Sequence, residues 1–165
     1  GARLLELGAG HGQLSARLRR SPKLNVTVEA LDLAPPPKDW PPDTPWHQAD
    51  VTAFSDFHRF DGIVANLLLH QFSDGQLATM GKRMGEGPRA ILAAEPTRRR
   101  RHLLQLQALG FALGRVTRHD AAVSVRAGFC GEELPRLLGL DPDIWRWTCW
   151  ESVFGQYLML AERID

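Results

Sequence analysis

Three glycines at every second position near the start of the chain most constrain its fold. Gly8, Gly10 and Gly12 follow an apolar run at residues 4–7 and precede an amphipathic stretch that begins at Gln13. This order predicts a buried strand, a tight turn and a helix. Glycine suits positions where φ is positive or where a ligand lies against the main chain. The sequence therefore predicts a ligand-binding turn, although a glycine-rich turn that binds nothing has the same pattern.

The spacing of the glycines separates two nucleotide-binding folds. Dinucleotide-binding enzymes use G-x-G-x-x-G, whose third glycine packs the helix on the strand, and Gln13 occupies that position here. The observed run Glu6-x-Gly8-x-Gly10-x-Gly12 resembles motif I of the class I S-adenosylmethionine (SAM)-dependent methyltransferases. The resemblance implies that SAM lies against this turn. The implied cofactor-binding residues are Glu6, Gly8, Ala9, Gly10 and Gly12.

A second predicted strand, at residues 24–31, ends in an acid, Asp32. A carboxylate at this strand end can accept hydrogen bonds from both hydroxyls of a ribose. A solvated aspartate at a strand end is the alternative interpretation. The resemblance implies that Asp32 binds the SAM ribose and that Leu33 lies on the adenine.

A proline-rich segment at residues 34–45 follows this strand. Proline lacks an amide hydrogen and fixes φ, so we expect a stiff surface loop there, with Trp40 folded back onto the domain. A short strand at residues 46–49 then leads to Asp50. The resemblance implies adenine contacts from the Asp50 side chain and the Val51 backbone, but Asp50 is equally suited to cap the turn that follows.

The apolar run at residues 62–69 ends in His70 and Gln71. Its length suits a central parallel strand buried on both faces, and ligands bind at the carboxyl ends of such strands. The run resembles the fourth-strand motif of the ubiquinone- and menaquinone-type small-molecule methyltransferases, which often reads Leu-His-His. That resemblance implies that Asn66 contacts the cofactor and that His70 is the catalytic base. A packed or capping histidine is the alternative.

The second half of the chain predicts further helices and strands. In chain order we expect a helix from about residue 73, a strand at 89–94, a helix from Arg98, an irregular segment at 116–128, a short helix at 132–138 and a hairpin formed by 144–150 and 157–161. The four arginines at 98–101 either spread over solvent or bind an anionic substrate. His119 and Asp120 suggest an oriented base, although adjacent side chains rarely face each other.

These elements predict a doubly wound α/β sheet with five parallel strands and a C-terminal antiparallel hairpin. The resemblance implies that the sheet is of the Rossmann-like methyltransferase type. The resemblance implies the strand order 3-2-1-4-5-7-6. The length of 165 residues suits one domain. We expect residues 1–165 to be a single SAM-binding core that lacks the N-terminal helices of the family and therefore binds SAM weakly.

Charge and cysteine content indicate which partners and which cellular compartment suit the protein. The net charge of +1 argues against a dedicated nucleic-acid or membrane-surface protein, and no apolar run approaches the ~20 residues of a membrane span. Cys130 and Cys149 are far apart and belong to no C-x-x-C pattern, so neither a disulfide framework nor a metal site is predicted. We therefore expect a cytoplasmic protein in a reducing compartment.

The resemblance implies SAM-dependent transfer of a methyl group to oxygen or carbon of a small-molecule acceptor. An anionic and a phenolic acceptor both fit the sequence, and the oligomeric state is left open. One alternative is a non-catalytic SAM-binding or partner subunit. A second is a nicotinamide-dependent oxidoreductase, but the missing third glycine and the lack of a Tyr-x-x-x-Lys pair count against it.

Overall fold

The computed structural model describes residues 1–99 and 127–164, which form one mixed sheet with helices packed against it. The strands are β1 (Ala2–Leu7), β2 (Val26–Asp32), β3 (Trp46–Gln48), β4 (Gly62–Asn66), β5 (Ala90–Pro96), β6 (Trp145–Glu151) and β7 (Gln156–Arg163). The α-helices are α1 (Gln13–Arg20), α2 (Asp74–Met84) and α3 (Glu133–Leu137), and 3-10 helices lie at Asp56–Arg59 and Leu69–Gln71. The predicted His119–Asp120 pair lies outside the described residues.

The strand order is β3-β2-β1-β4-β5-β7-β6, as the resemblance implies. Strands β1 to β5 are parallel, whereas β7 pairs antiparallel with both β5 and β6. The chain first moves outward from β1 to β3 and then returns to the other side of β1 as β4. Ligands bind at such a reversal in open α/β sheets, so the topology predicts a site at the carboxyl ends of β1 and β4.

One face of the sheet carries the main apolar core. Side chains of β1, β4, β5 and β7 form a single buried cluster with those of α2 and α3: Leu5, Leu7, Ile63, Ala65, Ile91, Ala93, Met159, Ala161, Leu77, Met80, Met84, Leu134 and Leu138. Gly81 lets the two helices approach closely, because a Cβ there would lie 1.8 Å from the Leu138 carbonyl oxygen. Complete burial of each large side chain contributes about 1.5–3 kcal/mol, so this cluster holds both helices against the sheet.

Helix α2 begins at a capping box, and the predicted helix from about residue 73 is confirmed. Gln76 Oε1 accepts hydrogen bonds from the Ser73 backbone N–H at 3.0 Å and from the Ser73 hydroxyl at 2.9 Å. The bond from the Ser73 amide satisfies a backbone donor that has no partner within the helix. Among the described residues, no helix has the length and apolar character needed to cross a membrane.

The predicted helix from Arg98 is wrong at its start, since Arg98 and Arg99 are not helical. Thr97 forms a β-bridge with Phe129, and the Arg98 amide donates a hydrogen bond to the Phe129 carbonyl oxygen at 3.1 Å. This pairing keeps the chain extended beyond β5 and overrides the local helical pattern. The rest of the predicted helix and most of the irregular segment fall at residues 100–126, outside the described residues.

Charged side chains tie the first three strands together. The Glu29 carboxylate on β2 lies 2.7 Å from Arg3 Nη2 on β1 and 2.8 Å from His47 Nε2 on β3. Arg3 also lies over the Phe60 ring, 5.4 Å from its centroid. Burial opposes ionisation of Glu29, but the hydrogen bonds from Arg3 and His47 outweigh burial and lower the pKa of this carboxyl group.

Replacing Glu29 with glutamine tests this cluster. Because the pKa of Glu29 is lower in the folded protein than in the unfolded chain, the carboxylate stabilises the fold above pH 4.5. That contribution is lost as the pH falls below this value and through the folded pKa. We expect Glu29→Gln to lower the free energy of unfolding by about 2 kcal/mol at neutral pH and by less in acid. Urea unfolding of both proteins across this range measures the difference, and a pH-independent difference would contradict the assignment.

Candidate functional site

The glycine turn after β1 takes an unusual backbone path. Gly8, Gly10 and Gly12 have φ values of 64°, 54° and 69°, all in the left-handed region. The amides of Gly8 and Ala9 both donate to the Leu31 carbonyl oxygen at the end of β2, at 2.8 and 3.2 Å. The turn is therefore held against β2 before it leads into α1.

Each glycine of the turn has its own packing environment. A Cβ at Gly8 would lie 2.6 Å from Leu68 Cδ1, and a Cβ at Gly12 would lie 2.3 Å from the Trp40 ring. The expected return of Trp40 onto the domain is thus confirmed. A Cβ at Gly10 would meet no atom within 4 Å, so this glycine faces open space. Gly10 is where the turn leaves room for a ligand to lie against the backbone.

Glu6, the acid before the turn, is buried and directed at α1. Its Oε2 accepts hydrogen bonds from the Ser15 amide, at 2.8 Å, and from the Ser15 hydroxyl. Burial raises the pKa of Glu6, the bonds from Ser15 partly offset this, and the charge of Asp32 raises it further. Gly12 offers α1 no side-chain cap, so Glu6 supplies that acceptor from the neighbouring strand. The predicted contact of Glu6 with a cofactor stays a prediction.

Asp32 links the end of β2 to the glycine turn. Its Oδ2 accepts a hydrogen bond from the Gly10 amide at 2.8 Å, and its Oδ1 accepts one from the Ala34 amide at 2.8 Å. Each carboxylate oxygen has two lone pairs, so each keeps the capacity for one further bond. The next side chain, Leu33, is 73% exposed. Asp32 therefore shapes the turn and still has acceptor capacity for a ligand.

Asp50 adopts the capping role that the sequence left open. Its Oδ1 accepts hydrogen bonds from the Thr52 amide at 2.8 Å and from the Thr52 hydroxyl at 2.7 Å. These bonds lower the pKa of Asp50, so the side chain is a carboxylate near neutral pH. The adenine contact implied for Asp50 and the Val51 backbone stays a prediction.

A cleft of about 430 Å³ lies at the carboxyl ends of β1, β2 and β4. Its volume is within the ~300–1,000 Å³ range of small-molecule sites. The lining residues are Gly8, Leu31, Asp32, Leu33, Ala49, Asp50, Val51, Leu67, Leu68, Gln71 and Phe72. Five residues predicted from the sequence thus line one cleft: Gly8, Asp32, Leu33, Asp50 and Val51. Asn66 is exposed at the end of β4, directly before Leu67.

His70 is held by a buried acid that the sequence analysis did not identify as functional. His70 Nδ1 lies 2.7 Å from Glu95 Oε2, and the Glu95 side chain is fully buried. Glu95 Oε1 also accepts hydrogen bonds from the amides of Leu68 at 3.1 Å and Leu69 at 2.8 Å. One carboxylate on β5 therefore fixes both the imidazole and the turn that follows β4. Glu95 lies near the end of a buried strand, much as Asp32 does, and that position is the signal that could have identified it.

The chain resembles known proteins in its structure but not in its sequence. No protein-family model and no curated protein sequence matches the chain. Among solved structures, the plantazolicin methyltransferase BamL, with a triazolic desmethylPZN analogue and S-adenosylhomocysteine (SAH), has a TM-score of 0.76 at 12% identity, over 99% of this chain and 77% of BamL. The chain has the class I methyltransferase fold.

Two further structures share this methyltransferase fold. Human N-acetylserotonin methyltransferase with SAM has a TM-score of 0.67 at 13% identity, over 99% of this chain and 48% of the human protein. The N-methyltransferase NodS from Bradyrhizobium japonicum WM9 with SAH has a TM-score of 0.61 at 15% identity, over 98% of this chain and 77% of NodS. The predicted fold class is confirmed, and the roles of individual residues stay predictions.

A second pocket of about 290 Å³ adjoins the cleft of the methyltransferase fold through Phe72, which lines both. Its other lining residues are Asp74, Leu77, Arg98, Ala127, Gly128, Phe129, Glu133, Arg136 and Leu137. Arg98 forms an ion pair with Glu133, and Arg99 forms two 2.8 Å hydrogen bonds with Glu151. Two of the four arginines at 98–101 thus have acidic partners within the chain, which weakens the expectation that this cluster binds an anionic substrate.

Alanine substitutions at two glycines test the packing of the turn. At Gly10 the added methyl group enters open space, so only the left-handed backbone opposes it, and we expect a loss of about 1 kcal/mol in the free energy of unfolding. At Gly12 the methyl group also meets the Trp40 ring, and we expect a loss of about 3 kcal/mol. Urea unfolding of Gly10→Ala and Gly12→Ala measures both, and equal losses would contradict the different environments.

Proposed function

We propose that this protein transfers a methyl group from SAM to oxygen or carbon of a small-molecule acceptor. The observation that carries the proposal is the pairing of His70 with buried Glu95 beside the cleft. Leu67 and Leu68 precede His70, Gln71 and Phe72 follow it, and all four line the cleft. The neighbours that share the fold are described as methyltransferases with SAM or SAH, which supports the same cofactor here.

The residues of the cleft fit SAM. The remaining acceptor capacity of Asp32 suits the two hydroxyls of a ribose, and exposed Leu33 offers apolar surface to an adenine ring. The open space at Gly10 allows close approach to the backbone. When bound, SAM supplies a methyl group already activated by its sulfonium. The protein's residues then contribute position and exclusion of water.

His70 and Glu95 form a base held in one orientation. An ionised carboxylate only accepts hydrogen bonds, so the 2.7 Å contact directs the Nδ1–H of His70 to Glu95. The lone pair of a neutral imidazole is then on Nε2, which can accept a proton. His70 is therefore suited to take the proton of a hydroxyl acceptor, and Glu95 stabilises the cation that forms.

This chemistry favours a phenol or enol as the acceptor. Such groups lose a proton during methylation, which gives His70 a role that an already ionised acceptor would not require. Arg98 and Glu133 both line the neighbouring pocket, and their ion pair neutralises the positive charge of Arg98 there. One structural neighbour is named for N-acetylserotonin, which supports a small-molecule acceptor. We therefore favour the phenolic over the anionic alternative.

Calorimetric titration and methyl transfer test the proposal together. We expect the protein to bind SAM and SAH but not NAD, because the cleft lacks the third glycine of the dinucleotide motif. We also expect incorporation of labelled methyl groups from SAM into members of a phenol panel. Binding of NAD in place of SAM would favour the oxidoreductase alternative. Binding of SAM without transfer to any acceptor would favour the non-catalytic subunit.

Asp32→Ala tests the assignment of the ribose. The substitution removes two charge-assisted hydrogen bonds of about 1.5–3 kcal/mol each, so SAM affinity should fall by roughly tenfold or more. It also removes the bond to Gly10, and Asp32→Asn serves as the control because the amide oxygen keeps one acceptor. Calorimetry measures both variants. Unchanged affinity for Asp32→Ala would disprove the assignment.

Glu95→Gln and His70→Ala test the base. Glutamine keeps the shape of Glu95 but presents donor hydrogens to His70, which favours the wrong tautomer. We expect both variants to lower turnover at least about tenfold while SAM affinity changes by less than about threefold, which is under 1 kcal/mol. Equal loss of turnover and SAM binding, or a changed circular dichroism spectrum, would indicate a folding defect instead.

A further inference from the structure

Leu67, directly after β4, has an unusual backbone conformation. Its φ is 55°, the one positive value among the described residues other than glycine. In this left-handed region the Cβ of an L-residue crowds the backbone, so such positions usually hold glycine or asparagine. Backbone strain of this kind persists only where surrounding bonds enforce it.

Hydrogen bonds on both sides of Leu67 enforce the strain. The Leu67 amide donates to the Ala94 carbonyl oxygen at 2.8 Å, and Gln71 Nε2 donates to the Leu67 carbonyl oxygen at 3.2 Å. The next amide, that of Leu68, donates to the buried Glu95 carboxylate at 3.1 Å. The chain is thus fixed immediately before and after the strained residue.

The enforced conformation does not serve burial of the side chain. Leu67 is 54% exposed and lines the cleft, whereas Leu69, two residues later, is 1% exposed and belongs to the core. An exposed leucine gains little from the hydrophobic effect, and the strain opposes folding. A ligand in the cleft that contacts the Leu67 side chain would account for both its exposure and its strained backbone.

We propose that Leu67 is a contact residue for bound SAM, held in the left-handed conformation so that its side chain covers the cofactor in the cleft. This inference rests on the proposed function, because it takes SAM as the ligand. Ordinary folding requirements would put glycine at this position. Leucine at this position lowers the stability of the fold but provides apolar contact with the cofactor.

Two substitutions separate the strain of Leu67 from its contact. Leu67→Gly and Leu67→Ala both remove the side chain, but only glycine relieves the backbone. Without ligand, we expect the Tm of Leu67→Gly to exceed that of Leu67→Ala by about 2–4 °C, the reverse of the usual order of these residues. We expect both variants to bind SAH about tenfold more weakly than the unaltered protein, since the lost apolar contact is common to both.

Leu24→Ala is the matched control, because Leu24 is 46% exposed but does not line the cleft. Its SAH affinity should equal that of the unaltered protein. If Leu67→Gly binds SAH within twofold of the affinity of the unaltered protein, the proposed contact with the cofactor is wrong. If Leu67→Gly has a lower Tm than Leu67→Ala, the proposed backbone strain is wrong. Failure of the unaltered protein to bind SAH would overturn the proposed function and this inference together.

Discussion

Carboxylates at the ends of parallel strands fix the loops around the cleft, and the geometry of the candidate site depends on them. Glu6 lies one residue before the end of β1 and accepts bonds from Ser15 in α1, Asp32 ends β2 and accepts one from Gly10, and Glu95 near the end of β5 accepts bonds from the turn after β4. In each case the acid and the loop belong to different elements. An acceptor fixed by a buried strand positions backbone amides through hydrogen bonds, so Gly10 can remain open to a ligand.

Burial strengthens this arrangement. A carboxylate in a site of low dielectric interacts strongly with the few donors it meets, and leaving one of those donors unpaired there is unfavourable. Glu95 is fully buried and accepts bonds from backbone amides and an imidazole. The four-residue turn at 67–70 therefore contains the strained Leu67, two amides that donate to Glu95 on β5, and the His70 imidazole held by the same acid. Moving the histidine or the amides of Leu68 and Leu69 requires breaking bonds to the same acid.

The sequence predicted what depends on local pattern. The glycine turn, the acid at Asp32 and the start of α2 follow from apolar periodicity, spacing and capping residues that lie close together in the chain. The strand order was implied by the family resemblance and not by these local patterns. What it missed depends on contacts between distant residues. Glu95 and His70 are separated by 25 positions, and no local pattern links them. The extended path at Arg98 likewise comes from pairing with Phe129, which overrides a segment that is helical by composition.

Leu67 illustrates why such sites resist prediction from sequence. Read along the chain, Leu67, Leu68 and Leu69 form one apolar run typical of a buried strand. In the structure, β4 ends before them and the three side chains have different surroundings: Leu67 lines the cleft, Leu68 packs against Gly8, and Leu69 enters the core. The positive φ of Leu67 creates this divergence, because it turns the chain out of the strand within one residue. A conformation that local preference disfavours is therefore what converts the end of a core strand into one wall of the cleft.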